Sequence, residues 1–150
     1  MNQGSGVTGS FRVLLVEDDA ADARLTREAL DESKTPYQLH VMRDGLQALA
    51  YLTQMKTSSE VSRPDVILLD WNLPGMDGRE VLRAIKSDEQ LRNIPVLVLT
   101  TSSARDDVRQ AYDLHANCFI TKPTNIHRFF EIIGEVEKFW VHTATLPPSP

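Results

Sequence analysis

The chain has 150 residues and a formal charge of −5, and 41% of its residues are hydrophobic and 25% charged. This length is typical of one domain, and the composition excludes an intrinsically disordered chain. No apolar run approaches the roughly 20 residues of a membrane-spanning helix, so no membrane association is expected. The single cysteine, Cys118, excludes an internal disulfide and favours a cytoplasmic protein. The acidic balance argues against nucleic acid as a partner.

The two ends of the chain differ from its middle. Residues 1–10 are rich in glycine and serine and lack the basic-then-apolar order of a signal peptide, which predicts a flexible leader. Residues 143–150 are rich in proline and predict a short C-terminal tail. The segment between them, residues 11–142, is predicted to form one domain.

Five short apolar runs alternate with stretches of helical periodicity in this domain. In chain order the predicted strands are 11–16, 37–42, 65–69, 95–99 and 118–121. The predicted helices are 20–32, 46–55, 78–86, 106–114 and 125–141. This alternation predicts a mostly parallel sheet with helices on both faces, and the unbroken apolar runs are typical of central strands. We therefore expect a doubly wound α/β fold of the flavodoxin type, for which the strand order 2-1-3-4-5 fits the length.

Polar side chains collect at the carboxyl ends of these strands, where doubly wound folds bind their ligands. They are Glu17, Asp18, Asp70, Thr100 and Lys122. Two carboxylates about 4 Å apart repel each other by roughly 4 kcal/mol at an effective dielectric near 20, so such a cluster needs a cation. Oxygen ligands alone favour Mg²⁺ or Mn²⁺. Each residue alone is equally well explained by helix capping or solvation, but the whole set is not.

A carboxylate, a hard divalent cation, a lysine and a hydroxyl together neutralise the oxygens of a phosphoryl group. An aspartate in such a site can act as the nucleophile and form an acyl phosphate. The sequence therefore favours phosphoryl-transfer chemistry at this end of the sheet.

These residues, together with the segment 73–78 (LPGMDG), resemble the CheY-type receiver domains of two-component response regulators. The resemblance covers residues 11–141. It implies that Asp70 is the phospho-acceptor, that Asp18 binds Mg²⁺ directly, and that Glu17 binds it mostly through water. Asn72 would contribute its backbone carbonyl to the same ion. Asp19 is expected to cap a helix, and the protein is expected to dephosphorylate itself without being an enzyme in the usual sense.

The resemblance also implies a switch. Thr100 and Lys122 match the hydroxyl and the lysine that bind the phosphoryl group, and Phe119 matches the aromatic residue that rotates when Thr100 shifts. Simple packing in a strand is the alternative for Phe119. The bond between Lys122 and Pro123 is expected to be cis. His115 stands where the family usually has glycine, which costs little only if φ there is negative.

A narrower resemblance concerns the segment 114–119, the pair Phe139-Trp140 and the segment 145–147. These are similar to the small regulators that pair with bacterial and cyanobacterial phytochromes. The similarity implies a phytochrome-type sensor histidine kinase as the phosphoryl donor. Because no output domain is recognisable, the signal is expected to pass through a surface to another, unknown protein.

The last predicted helix is apolar over about 200° of its circumference, although a helix on a sheet needs a stripe of only about 100°. The surplus residues are Ile132, Val136 and Phe139. They predict a homodimer through this helix, and the alternative is that the tail, residues 143–150, folds back over them.

The residues at the strand ends also distinguish the response regulator from three alternative functions. A phosphorylation-independent interaction module would not need an intact set of site residues. A small-molecule phosphatase would carry a second acid two positions after the nucleophile, where this chain has Asn72. A flavodoxin-like electron carrier would need a hydroxyl- and glycine-rich loop where residues 17–19 are acidic. The response regulator is therefore the favoured function.

Overall fold

We analysed a computed structural model, which describes residues 10–148. The strands are β1 (Phe11–Val16), β2 (Tyr37–Met42), β3 (Val66–Leu69), β4 (Val96–Thr100) and β5 (Cys118–Thr121). The helices are α1 (Ala20–Asp31), α2 (Gly45–Met55), α3 (Gly78–Lys86), α4 (Arg105–Asp113) and α5 (Ile126–Lys138). A π-helical turn, Phe139–Thr143, follows α5. Most of the predicted leader, residues 1–9, lies outside the described residues, as do residues 149–150 of the tail.

The five strands form one parallel sheet in the order β2-β1-β3-β4-β5. This confirms the predicted doubly wound α/β fold and its strand order. All strands point the same way, so the residues that follow them meet at one edge of the sheet, which we call the carboxyl edge (Glu17, Asp18, Asp70, Thr100 and Lys122). The opposite edge, where β1 and β3 begin beside Arg12 and Asp65, is the amino edge.

Both faces of the sheet are covered, which explains why the central strands are apolar without alternation. Helices α2, α3 and α4 cover one face, where Leu14, Val16, Ile67 and Leu69 are buried together with Trp71. Helices α1 and α5 cover the other face, where Val13, Leu15, Leu68, Phe129 and Ile133 are buried. The layered core fixes the strand ends, and therefore the side chains at the carboxyl edge.

Side-chain caps begin most of the helices at this edge. Asp19 accepts hydrogen bonds from the backbone N–H groups of Ala21 (2.8 Å) and Asp22 (3.1 Å), as expected for a cap of α1. Asp44 and Asn125 cap α2 and α5 in the same way. Asp77 and Glu80 form a reciprocal capping box at α3. The caps fix where each helix starts relative to the strand before it.

The last helix ends earlier than predicted. The apolar pattern predicts a helix over residues 125–141, but α5 ends at Lys138 and the chain continues in the wider π-helical turn. In this turn Trp140 packs against the core, whereas Phe139 remains 49% exposed. The tail then runs along the amino edge, where Leu146 lines a cavity together with Arg12 and Asp65.

His115 ends α4 with a φ of +72°. The N–H of His115 donates to the Tyr112 carbonyl (2.9 Å), and the N–H of Ala116 donates to the Ala111 carbonyl (3.0 Å), which is the Schellman arrangement. This cap requires the left-handed conformation, which is unfavourable for a residue other than glycine. The negative φ at which histidine would cost little is therefore not found at His115. Within residues 10–148, no helix is both long enough and apolar enough to span a membrane.

Candidate functional site

The carboxyl edge brings three carboxylates together. Because β1 and β3 are neighbours, the residues that follow them converge: Glu17, Asp18 and Asp70 each offer a carboxylate oxygen within 4.8 Å of the others. Glu17 is buried, Asp70 is half-buried and Asp18 is exposed. The group is therefore open to solvent on the Asp18 side.

Lys122, at the end of β5, is the cation that this cluster contacts. Its Nζ donates to Glu17 Oε1 at 2.5 Å and to Asp22 Oδ2 at 3.0 Å, and it lies 3.6 Å from Asp70 Oδ2. Only 8% of the lysine side chain and 3% of the Glu17 side chain are exposed. A lysine buried in this way is almost always paired. One ammonium group therefore faces three carboxylates, and Asp18 adds a fourth nearby.

Burial and charge act in opposite directions on this pair. Burial raises the pKa of Glu17 to about 7, against the hydrogen bond and charge of Lys122, which lower it. Burial alone would lower the pKa of Lys122, but the hydrogen bond and charge of Glu17 and the charge of Asp70 outweigh it, so that pKa is raised. Lys122 is thus held protonated, and the cluster retains more negative than positive charge above pH 7.

The position of Asp70 depends on a close approach of α3. A Cβ atom on Gly78 would lie 2.6 Å from the Asp70 carbonyl oxygen and 2.7 Å from the Trp71 Cα. Only glycine therefore lets the start of α3 pack against the end of β3. The backbone N–H of Asn72 donates to Asp70 Oδ1 at 3.2 Å, which orients the carboxylate.

Thr100 lies at the end of β4 and is completely buried. Its Oγ1 accepts the backbone N–H of Ser102 at 3.5 Å. Phe119 in β5 is half-buried and packs against the core beside α4, where its N–H donates to the Tyr112 hydroxyl at 3.1 Å. The structure thus places both predicted switch residues on neighbouring strands, and the rotation of Phe119 remains a prediction.

The expected cis bond between Lys122 and Pro123 is wrong, because no cis peptide bond occurs between residues 10 and 148. A bond before proline prefers trans by about 0.5–1 kcal/mol unless the local turn requires cis. Here the Lys122 N–H reaches the Thr100 carbonyl at 2.7 Å, and its ammonium reaches Glu17, with the bond trans.

Sequence reasoning missed one member of the site, Asp22. It lies in the first turn of α1, and its carboxylate is the second partner of Lys122. The available signal was its place three residues after the cap Asp19, because that position faces back over the start of a helix. Sequence reasoning also missed the contacts that hold Ser102, described below.

The residues present fit a hard divalent cation. Three carboxylates from adjacent strand ends, with one side open to solvent, match the all-oxygen donor set of Mg²⁺ or Mn²⁺. The excess of carboxylates over the single ammonium gives the site a net charge that such an ion would neutralise.

The comparisons with known proteins agree with this geometry. Residues 13–134 match the response regulator receiver domain family. The chain is 49% identical over 137 residues to the response regulator Rcp1 of Synechocystis sp., covering 91% of this chain and 93% of Rcp1.

Two solved structures are similar over nearly their whole length. The phosphorylated cyanobacterial phytochrome response regulator RcpA has a TM-score of 0.86 and 52% identity, covering 93% of this chain and 99% of RcpA. The Mn²⁺-bound form of Rcp1 has a TM-score of 0.83 and 48% identity, covering 91% of this chain and 99% of that structure.

The fold and the clustered carboxylates define a receiver domain. The chain belongs to the response regulator receiver domain family, and it is a response regulator similar to those of phytochromes. This confirms the resemblance found in the sequence.

Proposed function

We propose that the protein accepts a phosphoryl group on Asp70 from a sensor histidine kinase in a reaction that requires Mg²⁺. The observation that carries this proposal is the convergence of Glu17, Asp18 and Asp70 around the buried ammonium of Lys122. The similarity to phytochrome response regulators supports a phytochrome-type kinase as the donor. We also propose a cytoplasmic location, which the single cysteine of the chain supports.

The chemistry is an in-line transfer. A carboxylate oxygen of Asp70 attacks the phosphorus of phosphohistidine while the P–N bond breaks, and the imidazole leaves with the electron pair and takes up a proton. Mg²⁺, held by Asp18 and Asp70 with Asn72 contributing its carbonyl and Glu17 acting through water, would neutralise charge on the phosphoryl oxygens.

The chain's own residues do the rest. Lys122 lies 3.6 Å from Asp70 and has only to turn from Glu17 and Asp22 to bind a phosphoryl oxygen. Thr100 supplies a hydroxyl donor from the neighbouring strand. Hydrolysis of the acyl phosphate by water at the same site returns Asp70 to its free form, which is the self-dephosphorylation that the family resemblance implies.

Incubation with acetyl phosphate tests the acceptor directly. On a phosphate-affinity gel we expect a shifted band for the wild type only when Mg²⁺ is present, and no band for Asp70→Asn. Asp65→Asn is the matched control, because Asp65 lies at the other end of β3 and should leave the band unchanged. A folded wild type that gives no band would reject phosphorylation and favour a phosphorylation-independent interaction module.

The surplus apolar face of α5 supports a homodimer as the form in which the signal is passed on to another, unidentified protein. Ile132 is half-buried and Phe139 is 49% exposed, whereas Val136 is half-buried because it packs partly against the core. The described tail residues Leu146 and Pro147 line cavities with Arg12 and Asp65 at the amino edge. A second copy of the chain offers the same apolar residues, and an isologous contact would bury both sets.

Light scattering tests the dimer. We expect Phe139→Glu, alone and combined with Val136→Glu, to reduce the mass from dimer to monomer at micromolar concentration. Ile126→Glu is the control, because Ile126 is a comparably exposed apolar residue at the other end of α5. A wild type of monomeric mass would reject the dimer, and so would a dimer that survives Phe139→Glu.

A further inference from the structure

Ser102 is the centre of the hydrogen bonds that hold the loop between β4 and α4. Its N–H donates to Thr100 Oγ1 (3.5 Å), and its carbonyl accepts the Thr121 hydroxyl (3.2 Å). Its own hydroxyl accepts the Ala104 N–H (3.2 Å) and donates to Asp107 Oδ2 at 2.5 Å. The residue that engages the Thr100 hydroxyl is thereby tied to helix α4.

Asp107 is in turn held from a different helix. Its other carboxylate oxygen lies 2.6 Å from Nη2 of Arg79, the second residue of α3. The same guanidinium contacts Asp77 Oδ2 at 3.3 Å and the side chain of Gln110. Asp107 is only 18% exposed and Arg79 31% exposed, so this pair is better shielded than a surface ion pair.

Arg79 also contacts the residue after the phospho-acceptor. Its guanidinium carbon lies 5.0 Å from the ring centre of Trp71, which is fully buried. This is the distance of a cation–π contact. One continuous set of contacts therefore runs from the Thr100 hydroxyl through Ser102, Asp107 and Arg79 to the residue beside Asp70.

We propose that Ser102, Asp107 and Arg79 form a latch that keeps the Thr100 hydroxyl bonded within its own loop and thereby restrains phosphorylation of Asp70. This inference rests on the proposed function. Arg79 and Asp107 are positioning residues, because they act on Thr100 only through Ser102. The Ser102 N–H occupies an acceptor site of the Thr100 oxygen and leaves the hydroxyl proton free. A movement of the Thr100 side chain towards a phosphoryl oxygen on Asp70 would stretch this contact, and the latch opposes that movement.

If the latch restrains phosphorylation, breaking it should increase the rate of phosphorylation. A contact present only in the unphosphorylated conformation lowers the population of the reactive one, so removing it raises the rate. We expect Arg79→Gln and Asp107→Asn each to increase the initial rate of phosphorylation by acetyl phosphate with Mg²⁺ by about two- to tenfold. Because both substitutions break the same contact, the double variant should be no faster than the faster single variant.

Matched controls exist on the same two helices. Arg83→Gln removes the same charge one turn further along α3, where Arg83 is exposed and has no carboxylate within 4 Å among residues 10–148. Asp106→Asn removes the same charge from the first turn of α4, where Asp106 is 84% exposed. Both control rates should equal that of the wild type.

A spectroscopic measurement separates positioning from a merely structural role. In a Trp140→Phe background Trp71 is the only tryptophan. Addition of beryllium fluoride with Mg²⁺, which imitates the phosphorylated state, should change its emission as Arg79 moves. Adding Arg79→Gln to that background should abolish most of this change. Ser102→Ala, which leaves the ion pair in place, should raise the rate as the other variants do.

The outcomes are distinct. If the folded wild type is not phosphorylated at all, the proposed function fails. If it is phosphorylated but Arg79→Gln and Asp107→Asn react no faster than their controls, the latch is wrong. Strictly multiplicative rates in the double variant would also overturn it, because two independent contacts would then be at work. Should either variant fail to unfold cooperatively in urea, Ser102→Ala decides alone.

Discussion

The two edges of the sheet hold charge in opposite ways. At the amino edge Arg12 and Asp65 form one pair: the backbone N–H of Arg12 donates to Asp65 Oδ2 (2.8 Å), the Asp65 N–H donates to the Arg12 carbonyl (2.8 Å), and the side chains approach to 3.5 Å. At the carboxyl edge one ammonium, Lys122, faces several carboxylates. The pair of Arg12 and Asp65 is balanced and joins β1 to the start of β3, whereas the cluster at the carboxyl edge keeps an excess of negative charge for a cation.

The largest expected effect on the free energy of unfolding comes from removing the ammonium group of Lys122 from that cluster. We expect Lys122→Met to lose about 2–4 kcal/mol of unfolding free energy at pH 8 without divalent cations, because the buried carboxylate of Glu17 loses its partner. Lys56→Met is the control: Lys56 pairs with Asp88 nearer the surface, and its loss should cost less than about 1 kcal/mol. Urea unfolding measures both.

The pH dependence of the same variant sharpens the comparison. The folded pKa of Glu17 is raised from 4.5 to about 7, so the stability that its protonation contributes is present below pH 4.5 and lost as pH rises through 7. Lys122 lowers the pKa of Glu17, so without Lys122 that pKa is higher still and stability continues to fall at higher pH. Lys122→Met should therefore be clearly less harmful at pH 5.5 than at pH 8, and an equal loss at both values would contradict the assigned charge state of Glu17.

Replacing aspartate by asparagine at the two ends of β3 should change the free energy of unfolding in opposite directions. Without divalent cations, Asp70→Asn is expected to raise the unfolding free energy by about 1 kcal/mol, because it removes one of the crowded carboxylates. Asp65→Asn is expected to lower it by about 1 kcal/mol, because Arg12 loses its partner. Millimolar Mg²⁺ should stabilise the wild type more than Asp70→Asn. If both substitutions stabilise the protein, or both destabilise it, then the two ends of β3 do not differ in charge balance as described.

The smallest effect concerns strain at the amino edge, where α4 turns into β5. We expect His115→Gly to gain up to about 1 kcal/mol, because glycine adopts the φ of +72° without a steric penalty. His127→Gly, the same change in the first turn of α5, should instead lose about a few tenths of a kcal/mol. Thermal and urea unfolding compare the two, and a loss at both positions would show that the His115 side chain contributes contacts that outweigh the strain.

The sequence predicts most of the fold because local and tertiary signals agree. The bounds of β1 and α3 match the observed ones. A compact apolar run marks the strand, and Val81, Leu82 and Ile85 at helical spacing mark the helix. The end of α5 was wrong because Phe139, Trp140 and Val141 continue the helical apolar pattern, and no local signal marks the wider turn.

The site is predicted less completely than the fold. Adjacent strand ends are enough to bring Glu17, Asp18 and Asp70 together. The partner of a long side chain depends instead on helix rotation, which explains why Asp22 was missed as a partner of Lys122. The contact between Arg79 and Asp107 joins two helices separated by a strand, and nothing in the local sequence of either one indicates it.

The π-helical turn has a consequence for the length of the chain. Such a turn holds an extra residue relative to an α-helical one, and each residue rotates a helix by about 100°. Deleting a single residue from Phe139–Thr143 would restore the α-helical repeat and swing Leu146 away from Arg12 and Asp65. The number of residues in this turn thus determines the direction of the tail. Insertions and deletions within the turn would therefore redirect the tail more than any substitution.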